Sequence, residues 1–219
     1  MRGNPFDFIP YILGHQEQFL RLFSQHVQLT VLSVVIGILI AIPLAIMASR
    51  VDALAGPVTW LAGAGQTIPS LAILGLTLPL LGIGFVPSLF ALTVRAVLPI
   101  LLNTYVGIRG VDRAIVDAAR GMGMRSRQRL WMVELPVATP VIVAGIQTAT
   151  VQNVGTATLA AFIGGGGLGD LVLQGLAMVD PAILLAGAVP AAALAVAADV
   201  LMGRCRRLLV PAGLRVEGA

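Results

Sequence analysis

The chain has 219 residues, of which 58% are hydrophobic and only 11% charged, and its mean hydropathy is +0.95. A soluble domain would carry about 25% charged residues, so the composition excludes a soluble enzyme, a disordered chain and a nucleic-acid-binding module despite a pI near 10.5. Stretches of 42, 35 and 18 residues without any charge lie at 53–94, 135–169 and 181–198. Because a helix needs about 20 apolar residues to cross a bilayer, these stretches predict a membrane protein with several spans.

Five membrane spans are predicted from these stretches and from a further apolar run near the N-terminus. They cover approximately residues 27–48, 58–81, 87–106, 138–163 and 181–202. Before them, residues 1–25 carry an apolar face at helical spacing, which predicts a short helix lying in the membrane interface. The predicted fold class is therefore all-α, a polytopic membrane protein with about five transmembrane helices.

Small residues and prolines indicate where the spans pack or bend. In the first span small residues recur every four positions, at Gly37, Ala41, Ala45 and Ser49. Such a stripe lets a second helix approach closely. Pro69 and Pro79 lie in the second span, where a proline either kinks the helix or serves packing alone.

The distribution of arginine predicts the topology, since the chain contains no lysine. Loops on one side of the five spans hold two arginines, Arg2 and Arg21, and loops on the other side hold eleven. The eleven are Arg50, Arg109, Arg113, Arg120, Arg125, Arg127, Arg129, Arg204, Arg206, Arg207 and Arg215. Because positively charged loops stay in the cytoplasm, we expect a multi-pass protein of the cell (inner) membrane with its N-terminus outside and its C-terminus in the cytoplasm.

Residue types that carry catalysis or bind metals are scarce. Cys205 is the single cysteine, and the two histidines, His15 and His26, have no second ligand near them in the sequence. The acidic residues sit singly, and the absence of lysine excludes the Gly-x4-Gly-Lys-Ser/Thr phosphate loop. We therefore predict no catalytic, metal-binding or cofactor-binding residues, and interpret the histidines as interfacial polar groups.

The most informative segment is 109–134, which carries nine charges in 26 positions. A plain connection between two spans needs only a few residues. This segment instead predicts a helix over 111–120, a turn that includes Gly123, and a second helix capped by Ser126, with Pro136 beginning the fourth span. At Gly123 we expect either a positive φ or a close approach of a partner.

Two consecutive small residues on the first of these helices, Ala118 and Ala119, would let the surface of another protein come close. A structured, alanine-faced, basic protrusion suggests a docking partner. The alternative is a solvated loop that only obeys the positive-inside rule, and composition alone leaves both possibilities open.

The spacing of seven residues resembles the signature of permease subunits in binding-protein-dependent ABC importers. These residues are Asp117, Ala118, Ala119, Gly123, Val133, Leu135 and Pro136. The family pattern is Glu-Ala-Ala-x3-Gly-x9-Ile-x-Leu-Pro. In this chain Asp replaces Glu and Val replaces Ile, and every spacing is kept.

The resemblance covers about residues 26–204, and the stretch 164–170 looks like the glycine-rich loop after the fourth span of the same permeases. It implies the type I ABC importer permease fold, in which the segment 109–136 is a coupling segment that docks into a groove on a cytoplasmic ATPase. We therefore divide the chain into an N-terminal segment 1–25, a transmembrane domain 26–204 that contains this segment, and a cytoplasmic tail 205–219.

Three shorter stretches, 66–72, 98–108 and 153–159, look like the branch that imports osmoprotectants such as glycine betaine, carnitine or choline. Related branches that import methionine, phosphonate or sulfonate have similar short permeases, so these remain alternative solutes. The sequence departs from the usual pattern at Arg95, where an uncharged or aromatic residue is expected.

The resemblance implies a permease without catalytic residues, which forms the path for a solute delivered by a periplasmic or surface binding protein. ATP hydrolysis then belongs to separate subunits, and a second permease, identical or different, completes the path. The alternative of an ATPase-independent secondary transporter would show inverted repeats and buried ionisable relays, and we find no convincing repeat. A membrane enzyme is less favoured still, since no catalytic cluster is evident.

Polar residues inside the spans are candidates for the translocation path: Arg95, Gln147, Gln152, Asn153 and Thr156. The alternative is that they form hydrogen bonds between helices. Arg95 lies about nine residues into the third span, near the middle of the membrane. It either holds the carboxylate of a zwitterionic solute or forms hydrogen bonds to helix carbonyls or to Gln147, Gln152 or Asn153 of the fourth span. Asp199 is expected to pair with Arg204 near the interface.

Overall fold

The structure, a computed structural model, describes residues 5–209, and this part of the chain is helical without any β-strand. Short 3-10 turns lie at Pro5–Asp7, Asp52–Leu54 and Thr158–Ile163, and a π-helical turn lies at Leu130–Glu134. The α-helices in the described range are α1 (Phe8–Gly14), α2 (Gln16–Ser49), α3 (Ala55–Thr67), α4 (Ser70–Leu81), α5 (Phe85–Arg109), α6 (Arg113–Gly121), α7 (Ser126–Arg129), α8 (Leu135–Ala157), α9 (Gly169–Met178) and α10 (Pro181–Leu209). The predicted all-α fold class is confirmed.

Helices α2, α5 and α8 form the centre of the bundle. The small-residue stripe predicted on the first span faces α5, since Ala45 is fully buried and a Cβ atom on Gly37 would lie 2.9 Å from the Cβ atom of Ala96. On α8, Gly145 makes a similar close approach to Asn103 of α5. Within a bilayer, lipid tails are as apolar as the side chains, so close packing of this kind supplies much of the attraction between helices.

Four helical stretches of the described residues are long and apolar enough to span a membrane alone: Gln16–Ser49, Phe85–Arg109, Ser126–Ile163 and Pro181–Arg206. The predicted second span over 58–81 is present as a broken pair, because α3 and α4 are bent by 96° at the break between them, next to the predicted kink position Pro69. Ile68 has an extended backbone before Pro69 (ψ 124°), as residues preceding proline do, and Pro69 has no amide hydrogen to continue α3. Pro79 lies inside α4.

The connection between α2 and α5 crosses the whole bundle. At its start, Asp52 forms a 2.7 Å ion pair with Arg109 at the C-terminal end of α5. At its finish, the amide of Gly84 donates to the carbonyl of Ile163 (2.7 Å), at the N-terminal end of α5. Since a helix of 25 residues is about 37 Å long, the broken pair α3–α4 carries the chain from one end to the other. Together with α2, α5, α8 and α10, the pair α3–α4 gives the chain five passages from one end of the bundle to the other.

We name the two ends of the bundle by their residues. The arginine-rich end comprises residues 49–52 and 109–134, and the glycine-loop end comprises residues 82–85 and 163–170. Helix α8, the fourth passage, therefore runs from the arginine-rich end to the glycine-loop end.

The N-terminal helices pack against the last helix. Leu22 of α2 lies in one apolar cluster with Leu171 and Ile183, and Phe8 and Tyr11 of α1 pack against it. The expectation of one short interfacial helix within residues 1–25 is wrong from residue 16 onward, because these residues form the first turns of the 34-residue α2. Arg2 and Arg215, together with residues 210–219 of the predicted tail, lie outside the described residues.

Candidate functional site

The charged segment between the third and fourth long spans has the predicted helix–turn–helix form. The side chain of Asp112 caps α6 by accepting a hydrogen bond from the amide of Ala114 (2.9 Å), so the helix begins slightly later than expected. Gly123 has φ of +78°, the left-handed conformation that glycine adopts without strain. The expected positive φ at this turn is confirmed. A Cβ atom on Gly123 would meet nothing within 4 Å, so the space beside it is open.

The two adjacent alanines of α6 do not share a face. Ala119 is only 1% exposed, while Ala118 is exposed, because consecutive helix residues are about 100° apart. Ile115 and Met122 are also exposed (42% and 71%), and with Ala118 they form the outward apolar face of α6. The expectation that both alanines are presented to a partner is therefore wrong for Ala119.

The second helix of the segment is continuous with the fourth span. Gln128, rather than Ser126, caps α7, since its side-chain oxygen accepts from the amide of Arg125 (2.9 Å). The amide of Leu135 donates to the carbonyl of Leu130, the five-residue spacing of a π-turn. Pro136 cannot donate a backbone hydrogen bond, and the wider turn lets the helix pass this position unbroken. The helix α8 begins at Leu135, one residue before the expected Pro136, but it is not a separate start, because α7, the π-turn, α8 and the 3-10 turn Thr158–Ile163 form one continuous rod over 126–163.

Of the remaining signature residues, Val133 and Leu135 lie near the beginning of this rod and Asp117 lies outside it. Val133 is half-buried in the π-turn. Leu135 packs against a cluster that includes Ile108 of α5 and Ala138 of α8. Asp117 lies on α6 and pairs with Arg120 at 3.1 Å in an exposed position. The signature residues thus lie on an exposed helix, at a glycine turn and near the beginning of the fourth span.

A buried carboxylate that the sequence analysis missed lies between two signature positions. Glu134 is 4% exposed, and both its oxygens accept hydrogen bonds from the guanidinium of Arg50, at 3.3 and 2.5 Å. Arg129 donates from Nε to the same carboxylate at 2.8 Å. A two-pronged arginine–carboxylate contact fixes orientation as well as charge. The sequence feature that could have indicated this buried carboxylate is a single acidic residue placed directly before 35 uncharged residues.

These residues border a cleft of about 580 Å³ at the arginine-rich end. Its walls come from the ends of α2 and α5, from α6 and from the base of the rod. Five arginines and three acids line it: Arg50, Arg109, Arg113, Arg120, Arg129, Asp52, Asp117 and Glu134. The excess of two positive charges makes this end of the bundle electropositive and suits it to water rather than to hydrocarbon.

The polar residues of the fourth span do not form one stripe. Asn153 is fully buried and donates from Nδ2 to Ser33 Oγ and to the carbonyl of Leu92, both at 2.9 Å. It therefore ties α8 to α2 and α5. Thr156 donates to the carbonyl of Gln152 within α8 (2.8 Å), which satisfies its hydroxyl locally.

Gln147 faces a different helix from Asn153. Its Nε2 donates to Asp199 Oδ1 of α10 at 2.7 Å. The expected pairing of Asp199 with Arg204 does not occur among the ion pairs of residues 5–209. The contact between Gln147 and Asp199 is exposed on the single chain.

Arg95 stands apart from these contacts. It lies ten residues from the start of α5, about 15 Å along the helix, and is half-buried. Its Nε is buried and has no hydrogen-bond partner among the described residues. The alternative of bonds from Arg95 to Gln147, Gln152 or Asn153 is therefore not realised in this structure.

The glycine-rich stretch closes the opposite end of the bundle. Gly164, Gly166 and Gly167 all have positive φ, and a Cβ atom on Gly167 would lie 3.2 Å from Nδ1 of His26. His26 is fully buried, with Nε2 3.0 Å from the carbonyl of Val154. The interpretation of His26 as an interfacial group is thus wrong. It holds α2 against α8 beneath the loop.

Asp170 follows this loop at the start of α9. Partial burial raises the pKa of its carboxyl above the ordinary value, and the positive charge of Arg21 opposes that shift. Among the described residues, no group of three His, Cys, Asp or Glu side chains could hold a metal ion.

The architecture and the charged helix–turn–helix define a class: a multi-pass α-helical membrane protein with a structured charged segment at one end of its bundle. The family described as "Binding-protein-dependent transport system inner membrane component" matches residues 24–211, and this chain belongs to it. The resemblance inferred from the signature spacing is confirmed.

Solved structures share the fold. An inward-facing MetNI methionine ABC transporter matches with a TM-score of 0.80 at 20% identity, covering 90% of this chain and 99% of that one. An amino acid ABC transporter crystallised with histidines matches with a TM-score of 0.72 at 19% identity, covering 95% and 98%. The predicted type I importer permease fold is confirmed.

Curated relatives are similar over nearly the whole chain. The choline transport system permease protein OpuBB of Bacillus subtilis (strain 168) is 44% identical, over 87% of this chain and 88% of its own. The glycine betaine/carnitine/choline permease OpuCB of the same organism is 44% identical, over 88% of each chain. The osmoprotectant import permease OsmW of Salmonella typhimurium is 40% identical, over 95% of this chain and all of its own.

Proposed function

We propose that this chain is the transmembrane permease subunit of an ABC importer that takes up a small osmoprotectant such as glycine betaine, carnitine or choline. The observation that carries the solute class is the 40–44% identity to three permeases named for these solutes or for osmoprotectants. The methionine and amino acid transporters, at 20 and 19% identity, support the fold and not their solutes.

ATP hydrolysis belongs to separate ATP-binding cassette subunits in this proposal, and an extracytoplasmic binding protein delivers the solute. A second permease, an identical chain or a related one, completes the path across the bilayer. A single bundle of five passages is too small to enclose a solute channel, and pairing about a two-fold axis is the commonest way to build one.

We assign the arginine-rich end to the cytoplasm and the glycine-loop end to the outside. The support is the asymmetry of eleven arginines against two together with five passages through the bundle, an odd number that places the two termini on opposite sides. The N-terminus then lies outside and the C-terminus inside.

The segment 109–136 is the proposed docking site for the ATPase. Three exposed apolar side chains, Ile115 and Ala118 of α6 and Met122 directly after it, face away from the bundle and would fill a hydrophobic groove on the partner. The turn at Gly123 leaves open space beside them. Because α7 continues into the fourth span without a break, a displacement of this site would move α8 directly.

Arg95 is the proposed contact of the path with the solute. An arginine in the middle of a bilayer usually faces a bundle interior or a water-filled cavity, and the unpartnered Nε of Arg95 leaves hydrogen-bonding capacity for a ligand. A guanidinium matches the geometry of a carboxylate, which glycine betaine and carnitine carry and choline lacks.

The proposal is tested by uptake into proteoliposomes that contain the permease, its co-purifying ATPase and its binding protein. We expect ATP enclosed with the ATPase to drive uptake of labelled glycine betaine, carnitine or choline, and methionine to serve as the negative control. Uptake of methionine in place of all three would overturn the solute class. Uptake by the permease alone, without ATPase or ATP, would overturn the importer class.

A further inference from the structure

The Glu134 carboxylate connects two parts of the arginine-rich end, the rod and the end of α2, and this inference rests on the proposed docking of the ATPase there. Arg129 and Glu134 both belong to the rod over 126–163, whereas Arg50 follows the last residue of α2. The contact between Arg50 and Glu134 is therefore an ionic link between the coupling segment and the first long span, and it joins residues 84 positions apart.

The environment of this link differs from that of the exposed Arg109–Asp52 and Arg120–Asp117 pairs nearby. The carboxylate side of the Arg50–Glu134 pair is 5% exposed, while the Asp52 side of the Arg109–Asp52 pair is 89% exposed. An exposed pair is screened by water and contributes little. A buried carboxylate that loses one arginine keeps its desolvation penalty without the full compensation, so the link resists separation.

The backbone around Glu134 favours transmission of force. Glu134 ends the π-turn, and the next residues begin α8. A two-pronged contact at this point constrains both the distance and the orientation of Arg50. Motion of the rod relative to α2 would have to break two hydrogen bonds to a carboxylate that is only 5% exposed.

We propose that Glu134 is a positioning residue that clamps the end of α2 to the coupling rod through Arg50, so that α2 and α8 move as one body when the ATPase changes state. Through this contact, a displacement of α6 and the Gly123 turn by the ATPase moves two spans, α2 and α8, together. Without it, α2 and α8 would still be joined by the contacts of Asn153 and His26, but their ends at the arginine-rich end could separate, and the access change would be incompletely coupled to ATP.

The first test measures that rigidity in the full transporter in nanodiscs. Spin labels replace the exposed Met47 on α2 and Met132 on the rod in a Cys205→Ser background, and electron–electron double resonance gives the distance between them. We expect one narrow distance that is the same with and without bound ATP. In the Arg50→Gln variant we expect a broadened distribution that shifts with nucleotide. A distance that shifts equally in both proteins would overturn the clamp.

The second test measures coupling. Arg50→Gln should leave the ATPase bound to the purified permease but lower the solute transported per ATP hydrolysed by about 2- to 30-fold, the range of energetic coupling through such contacts. Arg50→Lys keeps the charge without the fork geometry and should give an intermediate loss. If the Arg50→Gln variant fails to assemble, the Arg50→Lys variant is used for this test instead. The matched control, Asp52→Asn, removes the exposed pair at the same cleft and should transport normally.

The outcomes separate this inference from the proposed docking site. A Gly123→Arg variant that still binds the ATPase and transports normally removes the segment as the docking site, whatever Arg50 does. Loss of docking in Gly123→Arg, together with normal transport per ATP in both Arg50 variants, leaves the docking site standing and overturns the clamp.

Discussion

Replacing Asn153 by alanine should weaken the bundle without changing which solute it carries. The side chain is fully buried and its Nδ2 donates two hydrogen bonds, one to Ser33 on α2 and one to the carbonyl of Leu92 on α5. Hydrogen bonds between membrane helices contribute about 0.6 kcal/mol on average and at most about 1.7 kcal/mol. The loss of both therefore predicts a destabilisation of about 1–3 kcal/mol.

The assay is the thermal midpoint of the purified chain in detergent, followed by fluorescence-detected size exclusion. Gln147→Ala is the matched control on the same helix, since it removes an exposed contact to Asp199, and we expect a smaller shift. An Asn153→Ala protein with an unchanged midpoint but an altered KM for one solute would refute the reasoning, because it would assign Asn153 to the path.

Four further predictions concern topology, coupling, the path and packing. A reporter fused after Ala219 should be active only in a cytoplasmic assay, and periplasmic activity would contradict the assigned orientation. Gly123→Arg should insert normally, since the turn lies outside the spans, but lose solute-stimulated ATP hydrolysis, because a bulky side chain and the backbone strain at φ +78° both disturb the docking turn. Arg95→Gln, assayed with binding-protein affinity held constant, should reduce betaine uptake more than choline uptake; equal losses with poorer assembly would leave Arg95 a structural role. Gly169→Ala should destabilise the bundle by several kcal/mol, because its Cβ would meet the backbone of the preceding 3-10 turn, whereas Gly155→Ala, with nothing within 4 Å, should shift the thermal midpoint little or raise it.

The segment that docks the ATPase in our proposal also connects the fourth span to the first. Its outward apolar face is formed by Ile115, Ala118 and Met122, which are three and four positions apart. The segment also contains the buried Glu134 carboxylate, which contacts Arg50 at the end of α2. Binding of nucleotide at one end and of solute-loaded protein at the other would thus bias one shared equilibrium between conformations of the bundle. The helices of this chain are the rigid elements that move between the two conformations. The partners make contacts that differ between those conformations.

Local sequence patterns determined much of this architecture. The uncharged stretches located the long spans, because hydrocarbon excludes charge over a fixed thickness. The small-residue stripe on α2 identified its contact face, and the spacing around Gly123 identified both the family and the left-handed turn. Each of these features depends on residues close together along the chain, so the pattern alone carries the information.

Only the tertiary structure decided which polar groups meet. Arg50 and Glu134 are 84 positions apart, and His26 lies 128 positions from the carbonyl it contacts. The break between α3 and α4 is as large as 96°, and the sequence indicated no more than a bend at Pro69. The physical reason is that hydropathy identifies which residues avoid water, while the partner of a buried polar group depends on how closely separate helices approach and at what rotation.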